Sequence, residues 1–231
     1  SRGETLADTA HTLERYADAI VYRGFNHDSV VGIAEHARIP VVNALTDLYH
    51  PCQILADLMT IEEHCGTLNV PISFIGNGSN IAHSLLGAAA VLGLDLTIGT
   101  PPNAMPRPEI VQEAADLVAS TGGRIRVVND PIEAVAGARI VYTDVWFDMG
   151  KDDEETVAKR SAEYQCFQLN AELLAKADRE AQVMHCLPAQ RGREATDEVL
   201  DGPQSIIFDQ AENRLHAQKA ILALLLGKDV G

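Results

Sequence analysis

Positive charge is scarce in this 231-residue chain. Lys and Arg number 18 against 33 Asp and Glu, for a formal net charge of −15, and only five of the cations are Lys. A surface of that sign repels polyanions, which argues against nucleic acid and anionic membrane as partners. Cysteine is thin as well. Cys52, Cys65, Cys166 and Cys186 lie far apart with no Cys-x-x-Cys pair, so neither a zinc site nor the disulfide framework of a small secreted domain is spelled out. The longest apolar run, Ala220 to Leu226, is too short to span a bilayer. The opening residues do not read as a signal or transit segment, and a reducing cytosol is the expected compartment. Repeats and low-complexity segments are missing. The one dense charge run, Lys151 to Glu155, reads as a solvated face.

What is present is a 46% apolar composition, enough for a sizeable core, and a regular alternation of strand and helix signals. Helical periodicity covers Glu4–Tyr16 (Leu6, Ala10, Leu13, Ala17) and Asp28–Ala37, with Val30, Val31, Ile33 and Ala34 inward. Strands are expected at Ala19–Tyr22 and Ile39–Ala44, then a helix from Pro51 to about His64. After Cys65-Gly66 the pattern restarts, placing a domain boundary there. Strands follow at Ile72–Ile75, Leu94–Ile98, Arg124–Val128, Arg139–Thr143, Gln182–His185 and Ser205–Phe208. Helices are expected near 81–92, 109–119, 131–136, 152–164 and 171–177, with a closing helix at 210–226 whose stripe is Ala211, Leu215, Leu222 and Leu225. The fold class is α/β, in two domains, each a parallel sheet flanked by helices.

Chemistry-bearing residues collect where strands end, the place a parallel sheet binds ligands. Arg23 closes the first strand. Alone it would be a solvated or ion-paired residue, but it shares a sheet edge with His50. His50-Pro51-Cys52-Gln53 stands where strand gives way to helix. Proline suits the first helical turn, and the free N–H groups beside His50 and Gln53 make either an anion site or simply a capped helix. Gly76-Asn77-Gly78-Ser79-Asn80 carries part of a dinucleotide fingerprint. Its third glycine would fall at Ile81, and the next strand ends in Gly99-Thr100-Pro101 with no acid for a ribose, so NAD is not expected. Asp144 follows a strand directly, placed for a cationic ligand, and Asp148 could share a helical face with it. Cys186 is a lone cysteine, for packing or for chemistry. Arg214, on the closing helix, is by itself a surface charge.

In order and spacing, His50-Pro51-Cys52-Gln53, Asp144-x-x-x-Asp148-Met149-Gly150, His185-Cys186-Leu187-Pro188 and Ala211-Glu212-Asn213-Arg214 resemble the ornithine carbamoyltransferases along essentially the whole chain. The resemblance implies a two-domain α/β enzyme, a homotrimer or multiple of trimers. It would make citrulline and phosphate from carbamoyl phosphate and ornithine, with no metal or organic cofactor. It assigns residues 1–66 to a partial carbamoyl phosphate-binding domain, 67–209 to an ornithine-binding domain, and 210–231 to a helix packing back on the first. Arg23, His50 and Gln53 then look like carbamoyl phosphate ligands, while Asn80, Asp144 and Met149 match ornithine-binding positions. Cys186 and Leu187 match positions beside the reacting amine, and Arg214 a contact near the carbamoyl group.

Two departures bear on function. The family's Ser-Thr-Arg-Thr phosphate loop lies upstream of the matched region and does not occur in this chain. A fragment of a longer protein is therefore expected, with a non-catalytic carbamoyltransferase-like subunit as the alternative. Asp148 stands where the ornithine enzymes carry Ser. A second carboxylate beside Asp144 favours a more cationic acceptor, such as lysine or a diamine.

Overall fold

A computed structural model describes residues 3–147 and 161–227. Within them the chain alternates strand and helix: α1 (Leu6–Leu13), β1 (Ile20–Arg23), α2 (His27–His36), β2 (Val41–Leu45), α3 (Pro51–Cys65), β3 (Ile72–Ile75), α4 (Asn80–Leu92) and β4 (Asp95–Gly99). Then follow α5 (Pro108–Thr121), β5 (Arg124–Val128), α6 (Pro131–Val135), β6 (Ile140–Thr143), α7 (Ala171–Leu174), β7 (Gln182–His185), α8 (Asp197–Leu200) and α9 (Ile207–Leu225). Local chemistry sets many of the ends. The side chains of Thr5, Asn26, Asp130 and Asn170 accept backbone N–H bonds at the starts of α1, α2, α6 and α7. Pro51 opens α3, and Gly66 closes it at φ 71°, a left-handed turn that costs a glycine little.

Two parallel sheets result. β1 pairs only with β2, while the larger sheet runs β5-β4-β3-β6-β7. Every residue of β3 and β6 is buried, as befits a parallel sheet covered on both faces. One face packs Phe74, Leu96, Ile98 and Ile140 against Leu85, Leu86 and Ala89 of α4. The other packs Ile75, Val141 and Val183 against α6, α7 and α8. α3 contributes Ile54, Leu58 and Ile61 to the first of these cores, although it follows the smaller sheet. Among the described residues no helix is long and apolar enough to cross a membrane.

Several expectations change. Ser205–Phe208 is not a strand. Ser205 makes a single bridge to Val183, and α9 starts at Ile207. A short apolar run cannot by itself distinguish strand from buried helix. α1 is shorter than its periodicity suggested, ending at Leu13, and α7 ends at Leu174. On α2 only Val30 and Ile33 are buried, whereas Val31 and Ala34 face outward, because the helix buries one narrow strip. α9 docks by a different face from the one its apolar stripe suggested. Ala211 is exposed and Leu215 is 61% exposed, whereas Gln210 and Asn213 are buried. Hydrogen bonds to α3 explain the choice: Asn213 Nδ2 donates to Thr60 Oγ1 at 3.0 Å and Glu63 Oε2 at 2.6 Å. Of the expected helix at 152–164 only residues 161–164 are described, and they are helical.

Candidate active site

The strand order reverses direction between β3 and β6, the crevice position where parallel sheets bind ligands. Ile75, Thr143 and His185 are in register at the carboxyl ends of β3, β6 and β7. The next residues, Gly76, Asp144 and Cys186, therefore step off the same edge. β1 delivers Arg23 beside Leu45 of β2. A cavity of about 450 Å³ opens between these two edges. Its walls include Arg23, His50, Gln53, Asn80, Asp144, Cys186, Leu187 and Arg214, together with Phe25, Thr46, Asp47 and Pro188. These eight residues, singled out from sequence at scattered positions, come together. Asp148 and Met149 lie outside the described residues.

The first wall carries cations and amides. His50 opens α3, and its backbone N–H donates to Ser84 Oγ at 2.8 Å. The Ser84 hydroxyl in turn donates to the Asn80 carbonyl at 2.7 Å. Asn80 Nδ2 donates to the Thr46 carbonyl at 2.9 Å. The starts of α3 and α4 are thus tied together at the cavity. Burial pulls the His50 pKa down to about 3, helped by the Arg214 and Arg23 charges. The imidazole is therefore neutral at physiological pH, and its Nδ1 has no hydrogen-bond partner. Such a group can contact an electrophile without adding a third full charge.

The second wall pairs an acid with a thiol. Cys186 Sγ lies 3.0 Å from Asp144 Oδ1 and donates to it, and the Val145 N–H donates to the same oxygen at 2.7 Å. Burial and the Asp144 charge hold the Cys186 thiol well above its usual range. It is a neutral donor, not a thiolate nucleophile. Burial also raises Asp144, which suits a carboxylate waiting for a cationic partner. Behind them His185 Nε2 faces Glu194 Oε1 at 3.1 Å, both side chains fully buried. The Leu187 N–H reaches His185 Nδ1 at 2.9 Å, so Nδ1 is the acceptor and Nε2 carries the proton toward Glu194. The Leu187–Pro188 bond is cis, with Leu187 at φ 56°. Asp144, His185 and Cys186 each bring one donor atom within 4.8 Å of the others. A metal there would have to displace a hydrogen bond that His185 already makes.

Sequence reasoning missed Ser84, Asp57, Gln210 and Glu194. Asp57 had a signal, because it lies four residues after Gln53 on one helix face. Ser84, Gln210 and Glu194 had none, since their partners are far along the chain. The Gly76–Gly78 turn also has a plain reason. A side chain at Gly78 would sit 2.3 Å from Pro106 N and 2.5 Å from the Ala104 carbonyl. What approaches that glycine is the chain's own backbone.

Parallel α/β units with a cavity at their strand ends, lined by cations and amides on one side and by an acid and a thiol on the other, define a protein of the class that binds small polar ligands at a sheet edge. Comparisons with known proteins make the assignment specific. Residues 1–63 match the aspartate/ornithine carbamoyltransferase carbamoyl-P binding domain, and residues 68–225 match the Asp/Orn binding domain of the same family. The chain belongs to the aspartate/ornithine carbamoyltransferase family. It is 52% identical over 226 residues to the ornithine carbamoyltransferase of Methanothermobacter thermautotrophicus, covering 98% of this chain and 74% of that protein. Among solved structures it is similar to ornithine carbamoyltransferase from Pyrococcus furiosus, at 47% identity and TM-score 0.94, covering 98% of this chain and 72% of that one. An N-acetyl-L-ornithine transcarbamylase structure is more distant, at 33% identity and TM-score 0.83, covering 95% and 72%.

Proposed function

We propose that this protein transfers the carbamoyl group of carbamoyl phosphate to the side-chain amine of ornithine, releasing citrulline and phosphate. The observation that carries the reading is the composition of the two walls. Arg23, His50, Gln53 and Arg214 line the same cavity as Asp144, Cys186 and Leu187. The curated relatives carry the same activity in their names.

In this reading the amine nitrogen attacks the carbamoyl carbon, the carbon–oxygen bond to phosphate breaks, and the amine proton is lost. Arg23 and Arg214 face the charge that builds on the carbonyl oxygen and departing phosphate, where fixed donors lower the barrier most. Asp144 pairs with the incoming amine, and the Cys186 thiol holds that carboxylate in place. Asn80 binds the amino acid together with Asp148 and Met149, and Leu187 lies beside the reacting nitrogen. Much of the rate would come from holding both substrates at one edge. The domain limits are 1–66 and 67–209, with 210–231 returning to the first, and the native enzyme is a cytoplasmic trimer or a multiple of trimers.

Citrulline formation by the native polypeptide, assayed across ornithine, lysine and diamines, tests the reading. Strong preference for ornithine is expected. A preference for lysine or a diamine would assign the acceptor differently, and no carbamoylation of any amine would overturn the activity.

A further inference from the structure

Gln53 and Asp57 lie four residues apart on α3, both about 1% exposed. Gln53 Nε2 donates to Asp57 Oδ1 at 2.8 Å. The same oxygen accepts Gln210 Nε2 of α9 at 2.7 Å. Gln210 Oε1 in turn accepts the backbone N–H of His185 at 2.8 Å, the residue just before Cys186. A continuous buried chain thus runs from the first wall, through one carboxylate, to the strand end that carries the second. None of the residue types in it is replaceable by an apolar one without stranding a partner.

The chain also settles which way Gln53 faces. A carboxylate oxygen only accepts, so the nitrogen end of Gln53 must point at Asp57. Gln53 Oε1 is left buried and without a partner, on a residue that lines the cavity. The nitrogen end of the amide is held by Asp57, so the end left unpartnered for a ligand is Oε1, an acceptor. An acyl phosphate bearing N–H on its acyl carbon satisfies that oxygen, whereas one bearing methyl leaves it stranded.

We propose that Asp57 is a positioning residue that sets acyl-donor specificity: by taking the amide N–H groups of Gln53 and Gln210 on one oxygen, it locks the Gln53 carbonyl toward the cavity, so that a carbamoyl group is read against an acetyl group of the same shape. The proposal rests on the carbamoyl-transfer reading above. Burial raises Asp57 to about 6, so the carboxylate is largely ionised at neutral pH and its acceptor role holds there.

The test is calorimetric binding of carbamoyl phosphate and acetyl phosphate to the native polypeptide and its variants. The native protein should prefer carbamoyl phosphate by about tenfold or more, the cost of one stranded buried acceptor. In Asp57→Ala the Gln53 amide is free to turn, and the preference should fall to about threefold or less. Asp57→Asn keeps an oxygen of the same reach and should retain the preference. Where Asp57→Ala does not fold, Asp57→Ser takes its place with the same expectation. A merely structural role would weaken both ligands alike, so an alanine variant with the native ratio overturns the proposal, however weakly it binds. A native protein with no preference between the two ligands overturns it as well. Failure of the carbamoyl-transfer reading looks different: a native protein that discriminates the two phosphates yet forms no citrulline.

Discussion

β3 and β6 are buried along their whole length, whereas β1 is buried only at Ile20 and β2 is half-buried throughout. Val21, on the outward side of β1, is 58% exposed. The buried set around the smaller sheet is Ala10, Ile20 and Ile33, while the larger sheet has a core on each face. Both edges nevertheless supply the cavity. A lone two-stranded pair is marginal in water, so the smaller sheet depends on what it leans on. That support is α3, whose apolar side joins the larger core and whose polar side bonds to α9. His50 and Gln53 ride on this helix. Arg23 rides instead on the end of β1, in the smaller sheet.

The contrast can be broken by cutting each core. Phe74→Ala, in the middle of the larger sheet at 0% exposure, should destabilise by about 3–5 kcal/mol in denaturant unfolding. Ile20→Ala should cost clearly less, about 2 kcal/mol. Equal costs would mean that the smaller sheet is not the weaker element. The two walls can be separated kinetically. Asp144→Asn should lower kcat/KM for ornithine about a hundredfold, some 2.7 kcal/mol of a buried charge contact, with little change in KM for carbamoyl phosphate. A parallel rise in both KM values would contradict the division of the cavity into two walls.

A smaller effect sharpens the role of α9. Asn213→Ala removes its bonds to Thr60 and Glu63 and should cost about 1–2 kcal/mol. Hydrogen exchange should quicken in α3 more than in β3 or β6; uniform protection would show that α9 does not hold α3.

The subtlest test is acid stability. His50 is lowered from 6.5 to about 3 in the fold, so the unfolded chain takes up its proton first. Its contribution is complete above 6.5 and is lost as pH falls toward 3. Asp57 runs the opposite way, raised from 3.8 to about 6, so its ionisation takes stability away as pH climbs through that range. His50→Asn should remove the first slope, seen as a thermal midpoint that declines less between about pH 7 and pH 4 than the native protein's. An unchanged acid limb would place the His50 proton elsewhere.

Much of this was legible in the chain. β3, β5 and β7 begin and end where their composition places them, because short β-branched runs between turn residues carry their own limits. Arg23, His50, Asn80, Asp144, Cys186 and Arg214 stood out because strand ends, helix starts and family motifs mark them. Ser205–Phe208 misled, since its three apolar residues, Ile206, Ile207 and Phe208, fit a strand or the first turn of α9 equally. The α9 stripe misled for another reason. Apolar periodicity ranks faces by burial, and here the docking face is chosen by the polar side chains of Gln210 and Asn213.

The amino-acid sequence alone determined the α/β class, the succession of elements and the chemical character of each wall, because periodicity, capping and turn chemistry act within a few residues. Only the tertiary structure decided which distant groups share an atom. Gln53 and Gln210 meet at one oxygen of Asp57, and Cys186 meets Asp144 across neighbouring strands. Those meetings depend on strand order and helix docking, which no local pattern encodes, and they set which way an amide faces and where a proton sits.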